Sequence, residues 1–135
     1  MLDIDHFKVV NDTYGHHKGD EVLQYVSSKM KEVVRENDVC IRFGGEKFII
    51  LLPKSNLEQA SHVAERLRQN IASSICQTDY ITISAGVTEF QSDESIDELY
   101  SRVDVSLYQA KTNGRNQIVK AANGRYVNLH VYSSE

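Results

Sequence analysis

Two consecutive glycines, Gly44 and Gly45, separate the apolar runs Val39 to Phe43 and Phe48 to Leu52. Short runs rich in branched and aromatic residues around a turn that tolerates positive φ predict a β-hairpin, with Glu46 projecting from its tip. The hairpin limits the folds open to the chain, because the segments on either side of it have helical periodicity. Upstream, Val22, Leu23, Val26, Met30, Val33 and Val34 predict a helix running from Asp20, as its N-cap, to about Arg35. Downstream, Pro53 closes the second strand, and Ser55 with Glu58 makes a capping-box pattern for a helix to about Ser73. The inner face of that helix is Leu57, Ala60, Val63, Ala64, Leu67 and Ile71.

Past this helix the period changes again. Tyr80 to Thr88 alternates as a strand, with Gly86 as a bulge or a point of close backbone approach. A helix from about Ile96 carries Leu99, Val103, Leu107 and Ala110 inward and stops at Asn113 and Gly114, a left-handed C-cap. Gln117 to Val119 reads as a last strand. Strand, helix, hairpin, helix, strand, helix, strand is the order of an α/β sandwich, with helices covering a mixed sheet that includes an antiparallel hairpin. Ala121 to Glu135 holds an Asn123-Gly124 turn and then alternating Tyr126, Val127, Leu129, Val131 and Tyr132, so it is read as a C-terminal extension, either a strand or an appended sequence.

At 135 residues, 41% hydrophobic and 25% charged, the chain has the size and composition of one globular domain. Its formal charge of −4 argues against a nucleic-acid partner or an anionic-membrane surface, so phosphate binding must rest on a few placed cations and amides. No apolar run reaches the roughly 18 residues that span a bilayer, and the start, Met1-Leu2-Asp3-Ile4-Asp5, lacks the basic and apolar regions of a signal peptide. A cytoplasmic location is the default expectation. Cys40 and Cys76 have no metal-like spacing and are expected to be reduced core residues. His16 and His17 are adjacent and His62 and His130 isolated, so these and His6 are assigned to solvent or packing.

The glycine turn also suits a metal and a phosphate, because glycine permits bare backbone approach and Glu46 is a hard oxygen donor for magnesium. The runs DIDHFKVVNDTYGHHKGDEVL from Asp3, RFGGEKF from Arg42 and YQAKTNGRN from Tyr108 follow one another in order. In these three motifs and their spacing the chain resembles the GGDEF domain family of diguanylate cyclases, over residues 3 to 116. The resemblance implies a central sheet of about five strands flanked by helices, related in shape to class III nucleotidyl cyclases and polymerase palms. It implies a GGDEF domain over residues 1–120 and an extension over 121–135. It also implies a helix and most of the first strand ahead of the equivalent of Leu2, so the domain is read as N-terminally shortened, with a weakened core or a missing wall of the guanine pocket.

The reaction implied is the condensation of two GTP into cyclic di-GMP with release of pyrophosphate. A 3′ hydroxyl of one nucleotide attacks the α-phosphorus of the other across a homodimer, aided by two Mg2+ or Mn2+ ions. By resemblance Asp3 and Glu46 are the catalytic, metal-binding acids, and the Ile4 carbonyl is a further ligand. The amides of His6 and Phe7, with Lys8, Lys111 and Arg115, take the phosphates; taken alone, Lys111 and Arg115 are two cations at a helix C-terminus. Asn11 and Asp20 match residues that read guanine; taken alone, they are a turn residue and a helix cap. Arg35 and Asp38, in an RxxD that ends six residues before Gly44, match with Arg66 the site where cyclic di-GMP binds as an inhibitor through bidentate arginine contacts.

The family's fourth motif position is normally a glutamate, and here it is Lys47. A lysine deletes an acceptor and adds a charge that repels magnesium, a change on the order of several kcal/mol in a desolvated site. Three functions fit: a diguanylate cyclase that tolerates Lys47, an impaired domain that binds GTP or cyclic di-GMP as a regulatory module, and an interaction domain without a ligand. The joint presence of Asp3, Lys8, Asn11, Asp20, Glu46, Lys111 and Arg115 opposes the third, and the resemblance favours the enzyme.

Overall fold

The computed structural model describes residues 1–76 and 79–121. Strand β1 (Leu2–Ile4) leads into helices α1 (Phe7–Tyr14) and α2 (His16–Val33) and then the hairpin of β2 (Val39–Arg42) and β3 (Lys47–Leu51). Helix α3 (Leu57–Ala72), the short pair β4 (Ile75–Cys76) and β5 (Asp79–Tyr80), β6 (Ile83–Val87), α4 (Ile96–Thr112) and β7 (Ile118–Lys120) follow. Five strands form one mixed sheet in the order β2-β3-β1-β6-β7, antiparallel except between β6 and β7. This is the helix-flanked sheet expected from the order of periodicities.

Strand alternation gives the sheet two different faces. Leu2 lies opposite Phe48 and Ala85, and Ile4 opposite Ile83. These residues share one core with Val22, Val26 and Met30 of α2 and Leu67 and Ile71 of α3. Asp3, opposite Lys47 and Ser84, belongs to the other face, where α4 packs on β6 and β7. Gly86 is the closest approach there: a Cβ on it would stand 2.6 Å from both the Leu107 nitrogen and the Val103 oxygen. Helix α4 begins with a capping box of Ser95 and Glu98 and ends at Asn113, with Gly114 at φ 118°. Its buried Arg102 bonds Glu94 at 2.5 Å and the Glu89 carbonyl at 3.0 Å, tying the helix to the loop after β6.

Several local expectations are corrected. Residues 7–14 form a helix, closed by Gly15 at φ 91°, so Asn11 is helical and not a turn residue. The same glycine lets α2 begin at His16, which leaves Asp20 exposed in the second turn, capping nothing. The capping box of α3 is Asn56 with Gln59, one residue beyond Ser55 and Glu58, because the two amide side chains make the same reciprocal bonds at 2.8 and 2.9 Å. The strand expected over Tyr80 to Thr88 is divided into β5 and β6. Neither cysteine is in a disulfide, but only Cys76 is buried; Cys40 is exposed on the edge strand β2. The Asn123-Gly124 turn and the extension beyond Ala121 lie outside the described residues. Among the described residues no helix is long and apolar enough to cross a membrane.

Candidate functional site

Where β1 ends and the chain turns into α1, Asp3 is 3% exposed and its Oδ2 forms an ion pair with Nζ of Lys111, in the last turn of α4. Its Oδ1 is buried and has no hydrogen-bond partner. Burial raises the Asp3 pKa, Lys111 opposes that rise, Glu46 adds to it and Lys47 again opposes it. Glu46 is held at this corner by its own backbone, since the Ile4 amide donates to the Glu46 carbonyl at 3.3 Å. A buried carboxylate oxygen lacking a donor costs roughly 1–3 kcal/mol, and a cation satisfies it. Among the described residues no three His, Cys, Asp or Glu side chains converge. Two carboxylates and one carbonyl nevertheless fit Mg2+, which uses one or two protein carboxylates and fills its octahedron with water and substrate phosphate.

Next to this corner lies a residue that the sequence reading did not single out. Asp5 is buried and accepts hydrogen bonds from the Ser84 and Thr82 hydroxyls at 2.7 Å each and from the Asn116 amide at 3.0 Å. Arg115 and Asn116 both adopt the left-handed region, at φ 64° and 49°. Two such non-glycine residues persist only where their surroundings over-determine them. Asp5, the Arg68 bond to Asn116 Oδ1 at 2.9 Å and the Arg115 amide bond to the Ala110 carbonyl at 2.9 Å do so. Asp5 therefore holds the turn that carries Arg115 against the start of α1. Its only signal in the sequence was the alternation Asp3-Ile4-Asp5, which puts two acids on one strand face.

The remaining phosphate candidates lie at the same end. His6 is the N-cap of α1 at φ 59°, and no side chain caps that helix. Lys8 is exposed and pairs with Asp12 at 3.1 Å. The four described histidines are exposed, with His17 standing 3.6 Å from Glu21, and His130 lies outside the described residues.

Asn11 lies where α1 packs on α2, against Gly19, the chain neighbour of the exposed Asp20. The Asn11 Oδ1 is buried without a partner, and a Cβ on Gly19 would collide with it and reach within 3.3 Å of the Phe7 ring. Gly19→Ala is therefore expected to swing the Asn11 amide away; if Asn11 reads guanine, as the resemblance implies, binding of a non-hydrolysable GTP analogue weakens about tenfold, a loss near 1.4 kcal/mol. Calorimetric titration measures this, and an affinity within twofold of wild type would argue against that role for Asn11.

Arg35, Asp38 and Arg66 also come together, at the C-terminal end of α2. The Arg35 amide donates to Asp38 Oδ2 at 2.7 Å, its guanidinium reaches Ser55 at 3.1 Å, and Arg66 donates to the Val33 carbonyl at 3.2 Å.

The sheet order, the hairpin tip beside the central strand and the helices on both faces define a domain of the nucleotidyl cyclase palm type. The chain belongs to the GGDEF family: residues 1–117 match the model of the family described as "Diguanylate cyclase, GGDEF domain". It is 44% identical over 122 residues to diguanylate cyclase DgcM of Escherichia coli strain K12, covering 90% of this chain and 30% of that protein. The active GGEEF domain of a diguanylate cyclase from Vibrio cholerae is similar with a TM-score of 0.85 and 40% identity, over 91% of this chain and 81% of that one. The GGDEF domain of DgcB from Caulobacter crescentus, solved in complex with c-di-GMP, has a TM-score of 0.85 and 35% identity, over 89% of this chain and 74% of that one. The chain spans between 18% and 37% of the length of the curated relatives it matches.

Proposed function

We propose that this domain is a diguanylate cyclase module that condenses two GTP into cyclic di-GMP in the cytoplasm, each domain of a homodimer presenting one nucleotide to the other. The observation that carries the reading is the buried, unpartnered Asp3 Oδ1 at the corner shared with Glu46 and Lys111. Asp3, Glu46 and the Ile4 carbonyl are the groups that would hold Mg2+ or Mn2+; a bound ion supplies Lewis-acid polarisation of the phosphoryl oxygens. The uncapped amides at the start of α1 bind phosphate oxygens, as helix N-termini do. Lys111 and Arg115 neutralise the charge that grows on the departing pyrophosphate. Asn11 and Asp20 select guanine, since a carboxylate accepts from its N1 and N2 hydrogens and adenine offers no such pair.

Incubating the purified chain with GTP and Mg2+ and quantifying cyclic di-GMP tests the reading, with Lys47→Glu alongside. Product from the wild type supports it. Product from Lys47→Glu alone would make the natural domain a nucleotide-binding regulatory module, the reading favoured by Lys47 standing opposite Asp3 in the ladder.

Product inhibition is assigned to Arg35, Asp38 and Arg66. Arg35→Ala is expected to weaken cyclic di-GMP binding at least about tenfold, the usual scale for a charge-assisted bidentate contact. Calorimetry with cyclic di-GMP checks it, and an unchanged affinity would place the product elsewhere.

A further inference from the structure

Asp3 and Lys47 are direct cross-strand partners, and each meets a residue of opposite charge on α4. Lys111 pairs with Asp3, while Asp104 Oδ1 stands 3.7 Å from Lys47 Nζ. Asp104 and Lys111 are seven residues apart, two helical turns, so α4 presents an anion and a cation along one face. Side chains directly opposed on a strand pair have Cβ atoms about 4.5–5.5 Å apart, and a lysine stem is long enough from there to turn toward Asp3 and Glu46 or toward α4. We propose that Asp104 is a positioning residue that holds the Lys47 ammonium on the α4 side, off the two carboxylates that would bind the metal, and so preserves a cation site beside a motif lysine. This deepens the reading of the site given above and rests on it.

The Lys47 and Asp104 side chains are 29% and 32% exposed, so as a contribution to stability their pair is worth little. Its importance is where it keeps a charge. With Asp104 neutral, Lys47 is left facing Asp3, whose carboxylate it already influences, with Glu46 beside it in the chain, so an arriving divalent ion must compete with this ammonium as well as with Lys111. Mn2+ alone, titrated by electron paramagnetic resonance of the free ion, reads this directly in the full chain. Asp104→Asn is expected to weaken Mn2+ binding about tenfold, and Asp104→Ser to do the same. Adding Lys47→Met to Asp104→Asn is expected to restore affinity to within about twofold of Lys47→Met alone, because the coupling exists only while both charges are present. Mn2+ bound equally by wild type and Asp104→Asn would overturn the proposal and leave the cyclase reading intact. A loss that persists in the Lys47→Met background would also overturn it, by showing that Asp104 acts on the fold or the metal without Lys47. A wild type that binds no Mn2+ would overturn the proposal together with the cation site, and the product assay judges turnover independently of both.

Discussion

Asp3→Asn is expected to reduce cyclic di-GMP formation by at least about a thousandfold, the scale of losing a group that holds charge in the transition state, with no loss of folding. Asparagine keeps the volume and replaces the anionic ligand with a neutral amide. Burial raises the Asp3 pKa from 3.8 in spite of Lys111, so folding shifts the carboxyl toward its protonated form relative to the unfolded chain. The sign follows by linkage: a carboxyl whose folded pKa is raised stabilises the fold below its unfolded value, and that contribution is lost as pH rises through the folded pKa. Burial disfavours the ionised Asp3 carboxylate, and the neutral isostere relieves that penalty at the expense of the Lys111 pair. The midpoint of Asp3→Asn at pH 7 should lie no more than about 2 °C below wild type, and its stability should fall less than that of wild type as pH rises from below the ordinary carboxyl value of 3.8 to 7. Chromatographic assay of product and thermal melts at both pH values decide the matter. Turnover by Asp3→Asn would remove Asp3 from the chemistry, and a collapse in melting temperature would make it a structural residue.

Gly86→Ala is expected to cost at least about 3 kcal/mol, the upper range for overpacking, and to lower the midpoint by about 10 °C in a domain of this size. Gly86 does not have a positive φ, so its need for glycine is one of space. The added methyl would stand 2.6 Å from two backbone atoms of α4 and 2.9 Å from the Ser106 Cβ, none of which can rotate away. Helix α4 must lift from β6, and Lys111 and Asp104 lift with it. Circular dichroism melts and urea titrations measure the loss. A midpoint within 3 °C of wild type would show that α4 yields at little cost, contrary to the close packing at Ser84, Gly86 and Ser106.

Residue pattern and partner geometry differed in how much of this could be read in advance. The hairpin was legible because a Gly-Gly turn between apolar runs has few alternatives. The helices α2, α3 and α4 were legible because each buries a stripe at helical spacing. Helix α1 was not, since Phe7 is its only buried residue and Asn11, Asp12 and Thr13 are poor helix formers on their own. It forms because Phe7 and the Asn11–Gly19 contact dock it on α2. The shift of the α3 capping box by one residue has a similar origin: Ser55 and Asn56 are comparable caps, and the surroundings chose between them, with the Leu57 amide also bonded by Glu89.

The sequence by itself determined the family and most of the order of elements, and it supplied the candidate site side chains, because these reside in short motifs whose residues act locally. Only the tertiary structure decided what those side chains meet. Asn116 bonds an aspartate 111 residues away, Asp3 is buried until one oxygen lacks a donor, and Lys47 turns to Asp104. Strand register places Asp3 opposite Lys47, and the Gly86 contact sets how closely α4 lies over that sheet face. Neither leaves a periodic trace in the chain, because each is a relation between segments and not a property of one.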